Sequence, residues 1–271
     1  MGAIMQFGVF PFGEPVLPVC QRERSRKRVF VLGVYASAVH ARWIGADGRT
    51  RISAVAVASE PEIFWRGGAE SAQSIIDRIA LPRGAGRLVS AQAGLNGPSG
   101  VALDALYLEP LGLTRSDAWL CDLVPHSCMN SRQACALERS YDPVRASLGL
   151  PDYDWPRVPA VLATEARRQE IESELIESGA DIVMTLGDPP LKWFTRHFGT
   201  AGRLGWYGRT PEEYGRLHPF RVGDRELQLL PLAHPRQAGR LGAHSSDWAT
   251  LHAGWVAKAP EFLRAICRGN G

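Results

Sequence analysis

Lysine is nearly missing from this chain: Lys27, Lys192 and Lys258 are the only three among 31 basic residues. Positive charge is therefore carried by arginine, whose guanidinium fork suits phosphates and base edges. A GC-rich coding bias produces the same excess. No C-x-x-C pair occurs, and the five cysteines (Cys20, Cys121, Cys128, Cys135, Cys267) are odd in number. These absences argue against a zinc ribbon, a ferredoxin-type cluster or a disulfide framework, and fit a reducing cytoplasm. No apolar run approaches the length of a membrane span. The first residues also lack the charge-then-apolar order of a signal peptide, so neither a membrane partner nor export is expected. There is no repeat and no low-complexity tract. What is present is an ordinary globular composition: 271 residues, 45% hydrophobic, net charge +3, enough to bury a sizeable core.

Residues 1–27 are rich in Pro, Gly and Phe and end in the basic run QRERSRKR. They read as an N-terminal extension, either a solvated lead-in or a phosphate contact. Residues 28–271 read as one α/β domain. RVFVL (28–32) predicts a buried strand ended by Gly33, where Gly and small residues (Gly33, Val34) let a ligand approach the backbone. ISAVAV (52–57) predicts another strand, followed by Phe64 and Trp65, which either stack on a planar ligand or join the core. Residues 70–79 have helical spacing, and the Gly-rich stretch 84–99 reads as loop.

AWLCDLV (118–124) predicts a buried strand with Asp122 inside it. A carboxylate there is costly without partners, so it either bonds backbone amides, points out at the strand end, or serves a site. A helix is expected over 131–140. Thr164 caps another that ends at Ser178, with Ile171, Leu175 and Ile176 inward and Gly179 as its stop. DIVMTL (181–186) predicts a third strand, and Asp188 a cap for the helix after it.

The stretch 229–255 combines a strand with His234-Pro235 at its tip, a loop holding Arg236, Gln237, Arg240 and Leu241, and a helix capped by Ser245 or Ser246 with Trp248, Leu251 and Trp255 as its apolar face. In open α/β sheets, ligands collect at the carboxyl ends of strands. The other histidines show no metal-ligand spacing and read as packing or surface.

Four pieces in order, VFVLGVYASAV, AWLCDLVPHS, ADIVMTLGDPPLKWF and PLAHPRQAG with SSDWATLHAGW, resemble the uracil-DNA glycosylase superfamily over about residues 28 to 260. The resemblance implies a three-layer α/β/α sandwich around a mainly parallel four-stranded sheet, and a base-flipping hydrolase that leaves an abasic site, with DNA as partner. It implies no metal, cofactor or obligate protein partner. Superfamily members commonly place Gly-x-Asp/Asn-Pro in the first motif. Here Tyr35 stands at the water-activating position, and Ser37 stands where the uracil-specific branch closes its pocket with tyrosine.

At the second motif Asp122 replaces an asparagine that reads uracil. An ionised carboxylate only accepts hydrogen bonds, which suits the exocyclic amine of cytosine and opposes the O4 of uracil. Asp122 with Ser37 therefore suggests a C5-modified cytosine, of the hydroxymethyl or glucosyl-hydroxymethyl type, and a role in anti-phage defence. On this reading His234 donates to the departing base, while Phe64 or Trp65 stacks on it and His126 lines the pocket. Arg236, Gln237 and Arg240 meet DNA, and Leu241 wedges into the vacated stack. A uracil-repair enzyme and a non-catalytic nucleic-acid-binding relative are the alternatives.

Overall fold

The computed structural model describes residues 6–240 and 246–258. Among them the strands are β1 Gly8–Val9, β2 Pro15–Val16, β3 Val29–Tyr35, β4 Ala38–Ile44, β5 Thr50–Ser59, β6 Arg87–Ser90, β7 Ala118–Val124, β8 Ile182–Leu186, β9 His218–Val222 and β10 Arg225–Leu232. The helices are α1 Ala69–Ile76, α2 Pro98–Leu103, α3 Ser131–Ser140, α4 Asp142–Arg145, α5 Glu165–Ser178, α6 Asp188–Trp193, α7 Pro235–Ala238 and α8 Ser246–Lys258. None is long and apolar enough to cross a membrane. The chain divides into two compact units: one holds the segments up to Val19, Tyr35–Pro98 and Pro125–Ala160, the other Cys20–Val34, Ser99–Val124 and the chain from Val161 onward.

The first unit contains the β1–β2 hairpin and an antiparallel sheet in the order β5-β4-β6. Its core is aromatic. Phe12 meets Trp43 and Tyr141 edge-on, with ring centroids 5.4 and 5.1 Å away, and the Trp43 indole N–H donates to Ala85 O. Phe10 and Val16 are fully buried in this core, so the residues before the first long strand are not a solvated lead-in. The stretch read as Gly-rich loop contains β6, which pairs with β4. Neither strand was legible. β4 slips register against β5 at several points, which breaks the period-two pattern.

The second unit is mixed α/β around a five-stranded sheet in the order β7-β3-β8-β10-β9, where four strands were expected. β3, β8 and β10 run parallel, in register through Leu32, Thr185 and Pro231. β7 runs the same way as β3: Arg28 N–H donates to Asp117 O near their starts, and Val34 N–H donates to the Asp122 carboxylate near their ends. The unexpected fifth strand, β9, is an antiparallel edge joined to β10 by a tight turn. β3 continues through Gly33 to Tyr35 instead of stopping there.

Every residue of β7 is buried although it lies at the edge of the sheet. The edge is covered from outside. Arg167 of α5 donates to Asp122 O at 2.8 Å and Leu123 O at 3.2 Å, and Leu120 N–H donates to Gln21 Oε1. The basic run preceding β3 is fastened here too. Arg24 pairs with Glu177 and lies over the Trp119 ring, and Lys27 donates to Ser116 O. These contacts satisfy the exposed rungs of an edge strand and block further pairing.

Helix α5 has its expected bounds, with Thr164 Oγ1 accepting from Arg167 N–H and Gly179 left-handed at φ 61°. Its inward face is narrower than expected. Ile171 and Leu175 are fully buried, whereas Ile176 is 53% exposed, because one residue further on turns the side chain about 100° around the helix. In α8 the buried residues are Ala249, His252 and Trp255, with Trp248 and Leu251 only half-buried; Ser245 lies outside the described residues.

Candidate functional site

The carboxyl end of the second unit's sheet is built from the ends of four parallel strands. Asp122, in β7, is 4% exposed. Burial pushes its carboxyl pKa up to about 7, opposed by the nearby Arg167 charge and by the Val34 N–H that the carboxylate accepts. At neutral pH the group is therefore divided between acid and carboxylate, not the fully ionised acceptor that its residue type suggests. Cys121 beside it is also buried, and its thiol is held well above the usual range, chiefly by desolvation.

Two strands away, β8 ends at Leu186, and Gly187 N–H donates to Leu232 O. Gly187 adopts φ 86°, and a Cβ there would lie 3.1 Å from the Cβ of His234. Both the backbone conformation and the close approach call for glycine. Asp188 opens α6 but does not cap it, since its Oδ1 accepts from Leu204 N–H at 2.7 Å.

His234 follows the end of β10 and is the N-cap of α7. Its Nδ1 accepts from Arg236 N–H at 3.2 Å, and its own N–H donates to Gln237 Oε1 at 3.1 Å. A nitrogen that accepts carries no proton, so the neutral ring has its proton on Nε2 and presents a donor there. Gln237 is thus a capping partner of His234, while Arg236 and Arg240 are exposed. Leu241 lies outside the described residues. Of the expected site residues, this sheet end holds Gly33, Val34, Asp122, His234, Arg236, Gln237 and Arg240.

The remaining expected residues belong to the first unit. Tyr35 and Ser37 are half-buried, and Ser37 N–H donates to the buried carboxylate of Glu60 at 3.1 Å. Phe64 is buried with a left-handed φ of 51°, and Trp65 lies in the hydrophobic core. The His126 ring stacks on Phe7 with centroids 4.2 Å apart, and burial lowers its pKa.

No family model matches the chain, and no curated protein matches its sequence.

Among the described residues, no group of three or more His, Cys, Asp or Glu could hold a metal ion. The sheet end presents an acid of near-neutral pKa, an imidazole N–H and exposed guanidinium groups. Sequence reasoning missed Arg167, which grips the strand carrying Asp122, and the buried trio Tyr107, Tyr214 and His252 behind His234. Arg167 had a weak signal, as the N3 position of a well-capped helix. The trio had none, because its members lie in different irregular or helical segments.

Proposed function

We propose that this protein is a cytoplasmic DNA glycosylase that accepts a base rotated out of the duplex and hydrolyses its N-glycosidic bond, leaving an abasic site. One observation carries the reading: Asp122 and His234 stand at the same end of one parallel sheet, an acid and an imidazole donor on β7 and just beyond β10. Three strand spacings of about 4.8 Å put their backbones roughly 14 Å apart. A pyrimidine held between the two side chains would span that gap. The uracil-DNA glycosylase-like three-layer arrangement is part of the same proposal.

The bond between C1′ and the base nitrogen breaks with its electron pair moving to the base. His234 Nε2–H donates to the base O2, where negative charge grows, so the interaction strengthens only as the bond opens. Asp122 in its acid form donates to cytosine N3 while its other oxygen accepts from the N4 amine. That proton offsets the charge on the leaving base. Water then adds at C1′ of the sugar and gives up a proton to solvent, from which Asp122 is reprotonated. Arg236 and Arg240 contact phosphates.

The substrate we assign is a C5-modified cytosine, hydroxymethylated or glucosylated, with Ser37 in place of a bulky residue as the sequence feature that favours it. Destruction of viral DNA built from such bases is the biological role that follows. Equal protection against a virus with unmodified cytosine would argue against it. The near-neutral pKa of Asp122 favours one second reading, uracil repair, because the acid form can also donate to O4 and accept from N3–H.

The test incubates purified protein with duplexes containing uracil, cytosine, hydroxymethylcytosine or glucosylated hydroxymethylcytosine, followed by alkali. Strand breaks confined to the modified cytosines, and lost in His234→Ala, are expected. Breaks at uracil alone select the second reading, and DNA binding without any breaks selects a non-catalytic relative.

A further inference from the structure

Behind His234 lies a chain of buried hydrogen bonds that serves no rung of the sheet. β10 ends at Leu232, so the next residue, Ala233, has left the ladder while remaining fully buried. Both of its peptide groups would be unsatisfied there. Two phenols from distant segments meet them. Tyr214 Oη accepts from Ala233 N–H at 2.8 Å, and Tyr107 Oη donates to Ala233 O at 2.6 Å. That carbonyl belongs to the peptide bond leading into His234.

The direction of the remaining bonds is forced. Leu106 O can only accept, so the ring proton of neutral His252 sits on Nε2, and its bare Nδ1 takes the Tyr214 hydroxyl proton at 2.7 Å. The Nε2–H donates to Leu106 O at 2.9 Å. The His252 ring also packs on Tyr107, with centroids 4.4 Å apart. Leu106 and Tyr107 lie in one wide helical turn, Asp104–Leu108, so the chain returns to the segment it started from. Four side-chain bonds thereby tie three separate stretches of sequence to the peptide planes on either side of Ala233.

We propose that Tyr214, His252 and Tyr107 are positioning residues for His234: they fix the peptide from which its imidazole projects, and so the place where its Nε2–H meets the departing base. A buried network that merely satisfied Ala233 would act on stability alone. One that positions a catalytic group acts on the chemical step of the folded protein. The proposal rests on His234 as the donor to the base, and the readouts below separate the two.

Tyr214→Phe, His252→Leu and His252→Asn are compared with the unaltered protein at a temperature where all are folded, with asparagine chosen because its Oδ1 can accept from Tyr214 as Nδ1 does. Two quantities are measured: the single-turnover rate of base release from the preferred duplex, and the imidazole nitrogen signals of His234 in isotope-labelled protein. Tyr214→Phe and His252→Leu are expected to slow release about 10- to 100-fold, the scale of a small misplacement, with duplex affinity changed less than about twofold. His252→Asn should recover most of the rate. The His234 signals should leave the Nε2–H tautomer pattern in the first two variants and return to it in the third. Unchanged His234 signals in Tyr214→Phe and His252→Leu, whatever their melting temperatures, overturn the proposal. If the unaltered protein releases no base, the glycosylase reading fails, and the imidazole signals still decide the network.

Discussion

The backbone N–H of Val34 donates to the carboxylate of Asp122, joining the last turns of two adjacent parallel strands through a side chain. That donor serves a group that burial strips of water. The pKa is therefore raised, and the acid form is the one that folding favours. Stability from Asp122 is fully present below its unfolded value near 4 and is lost as pH rises through about 7. At about 1.36 kcal/mol per tenfold change in proton affinity, the loss reaches about 4 kcal/mol. Asp122→Asn removes the charge and keeps the shape. It should raise stability to urea at pH 8 and leave it nearly unchanged at pH 4. The same variant should slow release of a modified cytosine by about 100-fold, because an amide cannot pass its proton to N3. An equal effect on stability at both pH values would contradict the assigned protonation.

His252 titrates in the opposite sense. Burial lowers its pKa to about 4, against the accepting Leu106 carbonyl. Facing it are the phenols of Tyr107 and Tyr214 and the Trp255 ring. The neutral ring is needed to accept from Tyr214, so stability is complete above pH 6.5 and falls as pH drops towards 4, by about 3 kcal/mol. Denaturation curves at pH 7 and pH 4.5 should show this loss in Asp122→Asn, where the opposing titration is gone, and not in the double variant with His252→Asn.

Gly187→Ala tests the floor beneath His234. The left-handed backbone and the 3.1 Å approach to the His234 Cβ together should cost about 1–3 kcal/mol. Base release by the folded variant should fall at least tenfold with duplex binding retained. A lower melting temperature with an unchanged single-turnover rate would separate Gly187 from the site.

Arg236 and Arg240 are both exposed beside His234 in sequence. Replacing both with alanine should weaken duplex binding alike for all four base contexts. The slope of log affinity against log salt should flatten by about 0.9 for each phosphate that is no longer neutralised. Weakening confined to one base context would mean that they read bases.

Much of the frame was legible because its signals are local. Thr164 and Gly179 bound α5, since a side-chain acceptor and a left-handed glycine act within one helical turn. β7 and β8 were legible as short, continuous apolar runs, and His234-Pro235 as the tip of another. β4, β6 and β9 were not. Register slips, brevity and polar alternation at an edge each erase the periodic pattern.

The sequence alone placed an acid inside one buried strand and a histidine just past the end of another. Only the folded chain decided that these strands share a sheet and a direction, that Asp122 is buried against the Val34 amide and keeps its proton near neutrality, and that Ala233 is gripped by Tyr107 from 126 residues away. Desolvation and long-range hydrogen bonds depend on which surfaces meet, and no local pattern of residue types encodes that meeting.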